Sequence, residues 1–126
     1  MCLMEYVLIS LVILTSSFFR ESFYEFSNFL KLESNWTTIV INLLGCFFLG
    51  ISVSFITHES EINSALVFGA CGSFTTFSSS CKDSFNLFYK RKFIEAICFL
   101  LVPLLLGVLG IYLGIYSGKL LFQFIL

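Results

Sequence analysis

Two places in this 126-residue chain set hydrogen-bonding side chains where apolar residues otherwise prevail. The first is Asn42, inside "TTIVINLLGCFFLG" at residues 37–50. An amide offers two N–H donors and one carbonyl acceptor. In an apolar run it is costly unless a partner or a wet cavity meets it. Steps of three and four put Thr38, Asn42, Gly45 and Cys46 on one helical face. Such a stripe suits a donor-lined ion path; it equally suits a polar seam joining two helices.

The second place is "GACGSFTTFSSS" at residues 69–80, with two glycines, two threonines and four serines. Glycine weakens a helix, and clustered hydroxyls compete for its backbone hydrogen bonds. In hydrocarbon, freed backbone groups must be met by protein, water or an ion. A helix interrupted near residues 72–75 would bare carbonyl oxygens, a recurrent way of building an ion site. A hard cation such as Na⁺ suits such oxygens. A continuous helix with a small-residue packing face accounts for the same residues. Phe77 directly follows the expected interruption, and the positive edge of its ring can meet a small anion without a fixed charge. The other phenylalanines, of 17 in all, serve lipid or core contact.

The elements that must position these residues follow from composition. The chain is 58% hydrophobic and 12% charged, with a mean hydropathy of +0.97. So short a chain cannot hide that much apolar surface from water, which makes its solvent a lipid bilayer. A crossing takes about 20 mostly apolar residues. Residues 2–19, 36–57, 62–81 and 93–120 supply four, the third with its break near 72–75. The expected fold is an all-α membrane protein: one domain, four transmembrane helices, the third broken. Small residues recur every fourth position at Ala65, Gly69 and Ser73, and again at Gly110, Gly114 and Gly118. That spacing lets helices approach closely in lipid.

Charge placement adds an orientation. With four crossings, the first and third connections share one side, which carries Arg20, Lys31, Lys82, Lys90, Arg91 and Lys92; the other has Lys119 alone. Six against one is a positive-inside bias that predicts both termini outside. The first apolar run lacks a charged start and a cleavage site, so it is expected to be retained. A net charge of −1 offers no nucleic-acid footprint. The five cysteines have no metal spacing and read as small buried hydrophobes. His58 stands alone in a polar turn. No nucleophile–base set, phosphate loop or metal cluster is present in the sequence, so enzymatic chemistry has no residues to carry it. A small multidrug-type exporter of four helices is a rival reading. Proton coupling would require a mid-membrane carboxylate, and Glu5, the acidic residue of the first crossing, lies near its edge.

"INLLGCFFLG" at 41–50 and "GACGSFTTFSSS" at 69–80 resemble the two signature blocks of the fluoride channel family, Fluc or CrcB, and Arg20 at the end of the first helix also fits. The resemblance covers nearly the whole chain. It implies an antiparallel dimer in the plasma (inner) membrane, with two pores through which fluoride leaves the cell passively. It implies a structural, untransported Na⁺ at the dimer centre, held by backbone carbonyls of Gly72 and Thr75. The fluoride path would take Asn42, with Thr38 one turn earlier, then Phe77, Ser78 and Ser79. Departures are also visible. The second pore phenylalanine of the family falls on Ser80, a fourth-helix tyrosine and serine fall on Phe99 and Pro103, and the glycines before the arginine are Ser16 and Ser17. Some members pair two different subunits of fixed, opposite orientation. The charge bias fits that arrangement, so the expected partner is an antiparallel homologous subunit, either a second copy or a different chain. A non-conducting subunit of such a pair is the remaining alternative.

Overall fold

The computed structural model describes residues 2–56, 61–75 and 77–125. The expected second-span end at Thr57, the turn holding His58, and Thr76 lie outside the described residues. Among the described residues there are five helices and no strand. They are α1 (Leu3–Phe29), α2 (Ser34–Phe55), α3 (Glu61–Phe74), α4 (Phe77–Tyr89) and α5 (Phe93–Ile125).

Three of these, α1, α2 and α5, are long and apolar enough to cross a membrane. With 14 and 13 residues, α3 and α4 are each too short to cross alone. The stretch expected as one third span is therefore two helices meeting around Thr75. Gly72 stays inside the last turn of α3, so the helix ends at the late edge of the stretch marked for interruption. Helices also outrun the expected spans: α1 continues ten residues past residue 19, and α4 eight past residue 81.

The distribution of residues is the inverse of a water-soluble core. Leu3, Phe18, Phe29, Ile94 and Phe124 are all largely exposed, while the buried set includes Ser27, Thr37, Thr38, Asn42 and Ser80. So much exposed apolar surface is stable only against lipid or another chain.

Close backbone approach joins α2 to α5, the most extensive helix pair. The buried side of α5 is Ala96, Pro103, Gly107, Gly110, Gly114 and Gly118, so the glycine face continues back to Pro103 in helical steps of three and four. A Cβ on Gly114 would lie 2.9 Å from the Gly50 Cα, and one on Gly50 would lie 3.0 Å from the Gly114 Cα. Only glycine at both positions allows that crossing. A Cβ on Gly107 would come within 3.2 Å of the Cys46 sulfur, which seats the same groove one turn earlier on α2. Gly69 plays a similar part on α3, facing Ile13 of α1.

The ends of α1 and α4 share one device. The Lys31 N–H bonds the Asn28 carbonyl at 3.0 Å, and the Leu32 N–H bonds the Ser27 carbonyl at 3.1 Å. After α4, Arg91 bonds Phe88 and Lys92 bonds Leu87, both at 3.0 Å. Both are Schellman closures, in which the turning residue is left-handed and is usually glycine. Here Lys31 (φ 57°) and Arg91 (φ 58°) take that place. At the other end of α1, the Cys2 N–H donates to the Glu5 carboxylate at 2.8 Å and satisfies one of the open donors of the first turn.

Replacing Gly114 by Ala should lower stability by about 1–3 kcal/mol through overpacking against backbone. Unfolding of the detergent-solubilised protein in a denaturing-detergent titration would measure this; an unchanged midpoint would contradict the contact.

Candidate functional site

Asn42 sits in the middle of α2, 8% exposed, and its Nδ2 donates to the Ser80 hydroxyl of α4 at 3.3 Å. One turn earlier, the Thr38 hydroxyl donates to the Asp83 carboxylate at 3.4 Å and shares a 2.8 Å hydrogen bond with the Tyr24 hydroxyl of α1. The sequence steps forward three residues on α4 as it steps back four on α2. The two helices thus face each other through two polar rungs. The Ser27 and Thr37 hydroxyls are hydrogen-bonded to each other and both buried, which ties α1 to α2 just beside this column.

The column opens into a polar recess of about 280 Å³ lined by Glu21, Tyr24, Thr38, Ser79, Lys82 and Asp83. Asp83 lies beyond the expected end of the third span at residue 81. Burial pushes its carboxyl above the ordinary 3.8, while the Thr38 hydroxyl and the Lys82 ammonium pull it partway back.

The meeting of α3 and α4 is the second half of the site. The Cys71 carbonyl accepts both the Thr75 N–H and the Thr75 hydroxyl, each at 3.0 Å. Arg20 of α1 reaches the Ser73 carbonyl at 3.3 Å, and its other nitrogen pairs with Glu21 at 3.0 Å. A guanidinium is thus spent on a backbone oxygen at a helix end, where the partial charge is negative. Gly72 is exposed, and a Cβ built on it would meet nothing within 4 Å. Gly45 of α2 packs against this end through Phe74 and the Thr75 methyl. Among the described residues no group of three or more His, Cys, Asp or Glu could hold a metal.

The residues named from sequence therefore fall into three places. Asn42, Thr38 and Ser79 belong to the column and its recess. Gly72 and Thr75 stand at the end of α3. Phe77 (53% exposed) and Ser78 open on the outer surface of the protomer. The stripe on α2 divides: Asn42 and Thr38 face α4, Gly45 faces the end of α3, and Cys46 faces α5. Tyr24 and Asp83 were not singled out by the sequence. Their signal is weak, since a tyrosine five residues past the first span and an aspartate between two polar neighbours read as surface.

This arrangement, one buried amide among hydroxyls beside an interrupted helix, coincides with a family-model match to the CrcB-like proteins (Camphor Resistance, CrcB) over residues 6–115. The chain belongs to the CrcB family. Its relatives include "Fluoride-specific ion channel FluC 2" of Clostridium acetobutylicum, 33% identical over 71% of this chain and 76% of the relative. "Fluoride-specific ion channel FluC" of Helicobacter pylori is 36% identical over 74% of this chain and 75% of its own length. The protein of the same name from Phocaeicola vulgatus is 30% identical over 67% and 72%. No solved structure matches. As a CrcB-family chain with several long apolar helices, the protein is a multi-pass membrane protein.

A raised carboxyl value favours the fold below 3.8, and that contribution is lost as pH rises through the folded value. Relative to Asp83→Asn, the parent should therefore gain stability as pH falls from neutral toward 3.8. Unfolding midpoints of both proteins across that range test this, and a gap that widens against the parent on acidification would contradict it.

Proposed function

We propose that this chain is a subunit of a fluoride-specific channel that lets fluoride run passively out of the cell. It is not an enzyme; a channel makes and breaks no covalent bond. The observation that carries the reading is the buried Asn42 amide in a column of hydroxyls that opens into a polar recess. Fluoride is small and strongly hydrated, so a dry path must replace its water with several close donors. An amide and hydroxyls supply these without a fixed positive charge that would trap the ion. A narrow rigid path excludes the larger chloride. Thr38 and Ser79 stand at the recess end, Asn42 lies deeper, and Phe77 and Ser78 complete the path.

The exposure of Phe77 fits a ring that serves across a dimer interface rather than within its own protomer. In this reading α1, α2, α3 with α4, and α5 make four crossings, and an antiparallel homologue lies against the end of α3. A structural Na⁺ belongs at that junction. The last-turn carbonyls of α3 are hard oxygen donors, the surface at Gly72 is open, and the Ser73 oxygen is already held by Arg20. Backbone carbonyls of Gly72 and Thr75 would hold the ion, which supplies the positive charge that lets two helix ends meet. The basic residues around the turns after α1 and α4 favour a fixed orientation, with both termini outside the plasma membrane. That bias in turn favours an oppositely inserted, different family chain as partner. The exporter reading lacks a coupling carboxylate, since Glu5 is engaged in capping α1.

The test is fluoride efflux from liposomes, read by a fluoride electrode, with the chain alone and with a CrcB-family partner of opposite charge bias. Efflux is expected with the partner. None in either case would overturn the channel reading, and full efflux from the chain alone would overturn the requirement for a different partner. In the conducting form, Asn42→Asp should abolish efflux, because a carboxylate puts acceptors where donors are needed, and Phe77→Ile should slow it greatly. Normal flux in either variant would remove that residue from the path. Gly72→Ala fits the protomer without a clash, so a loss of dimer on cross-linking would locate Gly72 at the interface. An unaltered dimer with unaltered efflux would remove it.

A further inference from the structure

Ser80 is 2% exposed and is the buried residue of α4. Its oxygen accepts the Asn42 amide N–H at 3.3 Å. The terminal torsion of an asparagine is broad, so packing alone fixes the amide plane poorly. A hydrogen bond to a buried, immobile acceptor fixes it well. The acceptor is itself held in register, because the next contact along the same two helices is Thr38 with Asp83 at 3.4 Å. A side chain without an oxygen at residue 80 would remove this buried bond, a costlier outcome than the loss of an exposed one.

We propose that Ser80 is a positioning residue for Asn42: its hydroxyl oxygen takes one amide N–H and thereby sets the direction in which the rest of the amide meets the permeating anion. Ser80 is thus not a vacancy in the path but the group that orients its central donor. Size is not the requirement; an oxygen at that point is. Threonine, which keeps the oxygen, should serve, and alanine should not.

The inference rests on the channel reading for its transport readout, and a second readout is independent of transport. Ser80→Ala and Ser80→Thr are compared with the parent in the conducting complex. Ser80→Ala should lose about tenfold of the fluoride efflux rate, and Ser80→Thr should stay within about twofold of the parent. In protein labelled with ¹⁵N-asparagine, the Asn42 side-chain amide is assigned by its absence from Asn42→Ala. In Ser80→Ala its resonances should move and its hydrogens exchange faster; in Ser80→Thr they should hold. A global structural role would not confine the change to that one amide. Asn42 signals unaltered in Ser80→Ala would overturn the proposal whether or not the chain conducts, and so would parent-like efflux in that variant. If the parent itself does not conduct, the channel reading fails while the amide spectrum still decides the role of Ser80. Should Ser80→Ala fail to fold, Ser80→Cys, close in size with a weaker acceptor, carries the same comparison, with the amide shift as the deciding signal.

Discussion

A helix that ends inside an apolar bundle must hand its last carbonyls to something, and the rest of this structure is arranged around that obligation. The end of α3 at Phe74 is such a place. Thr75 answers for the Cys71 carbonyl twice, with N–H and hydroxyl, and Arg20 answers for Ser73 from another helix. Unmet backbone groups in hydrocarbon cost several kcal/mol each, so these bonds are conditions for the interruption rather than ornaments to it. They also explain why α1 carries an arginine at residue 20, where its long apolar stretch ends. Its charge is half-buried, paired with Glu21, and directed at a carbonyl.

The same economy governs α2, which serves four neighbours at once. Its glycine at residue 50 brings the α5 backbone near enough for dispersion to hold the pair, in a medium where no hydrophobic force drives helices together. Gly45 leaves room for the Phe74–Thr75 junction. Between them and the helix start lie Thr38 and Asn42, whose polar groups meet α4 and α1 rather than lipid. A substitution that widens the α2–α5 crossing would therefore tilt the helix that carries the amide. Packing and site are coupled through one rigid rod.

Much of this was legible in the sequence because membrane physics is restrictive. Asn42 and the Ser/Thr-rich block stand out against an apolar background, and the glycine rhythm of α5 marks its buried face directly. What escaped was of a different kind. The sharing of the polar column between Tyr24, Ser80 and Asp83 depends on the register between helices, which no single-helix periodicity contains. Helix lengths were also underestimated for α1 and α4, since hydropathy marks where the apolar region stops and not where the backbone stops winding. The turn ends escaped for lack of a glycine: Lys31 and Arg91 hold left-handed conformations that local sequence would assign to another residue.

Those two residues bear on how the chain lies in its membrane. Left-handed backbone costs a non-glycine residue about 1–2 kcal/mol, yet both turns keep a basic side chain there, flanked by Lys90 and Lys92 in one case. Stability alone would favour glycine at either place. A cation near a helix C-terminus recovers part of the cost through the helix dipole, though only a few tenths to 1 kcal/mol at an exposed position. The remainder is strain retained at two turns that each keep a basic side chain. Under the fixed orientation proposed above, moving either charge inward would bury it and removing it would weaken the positive-inside bias.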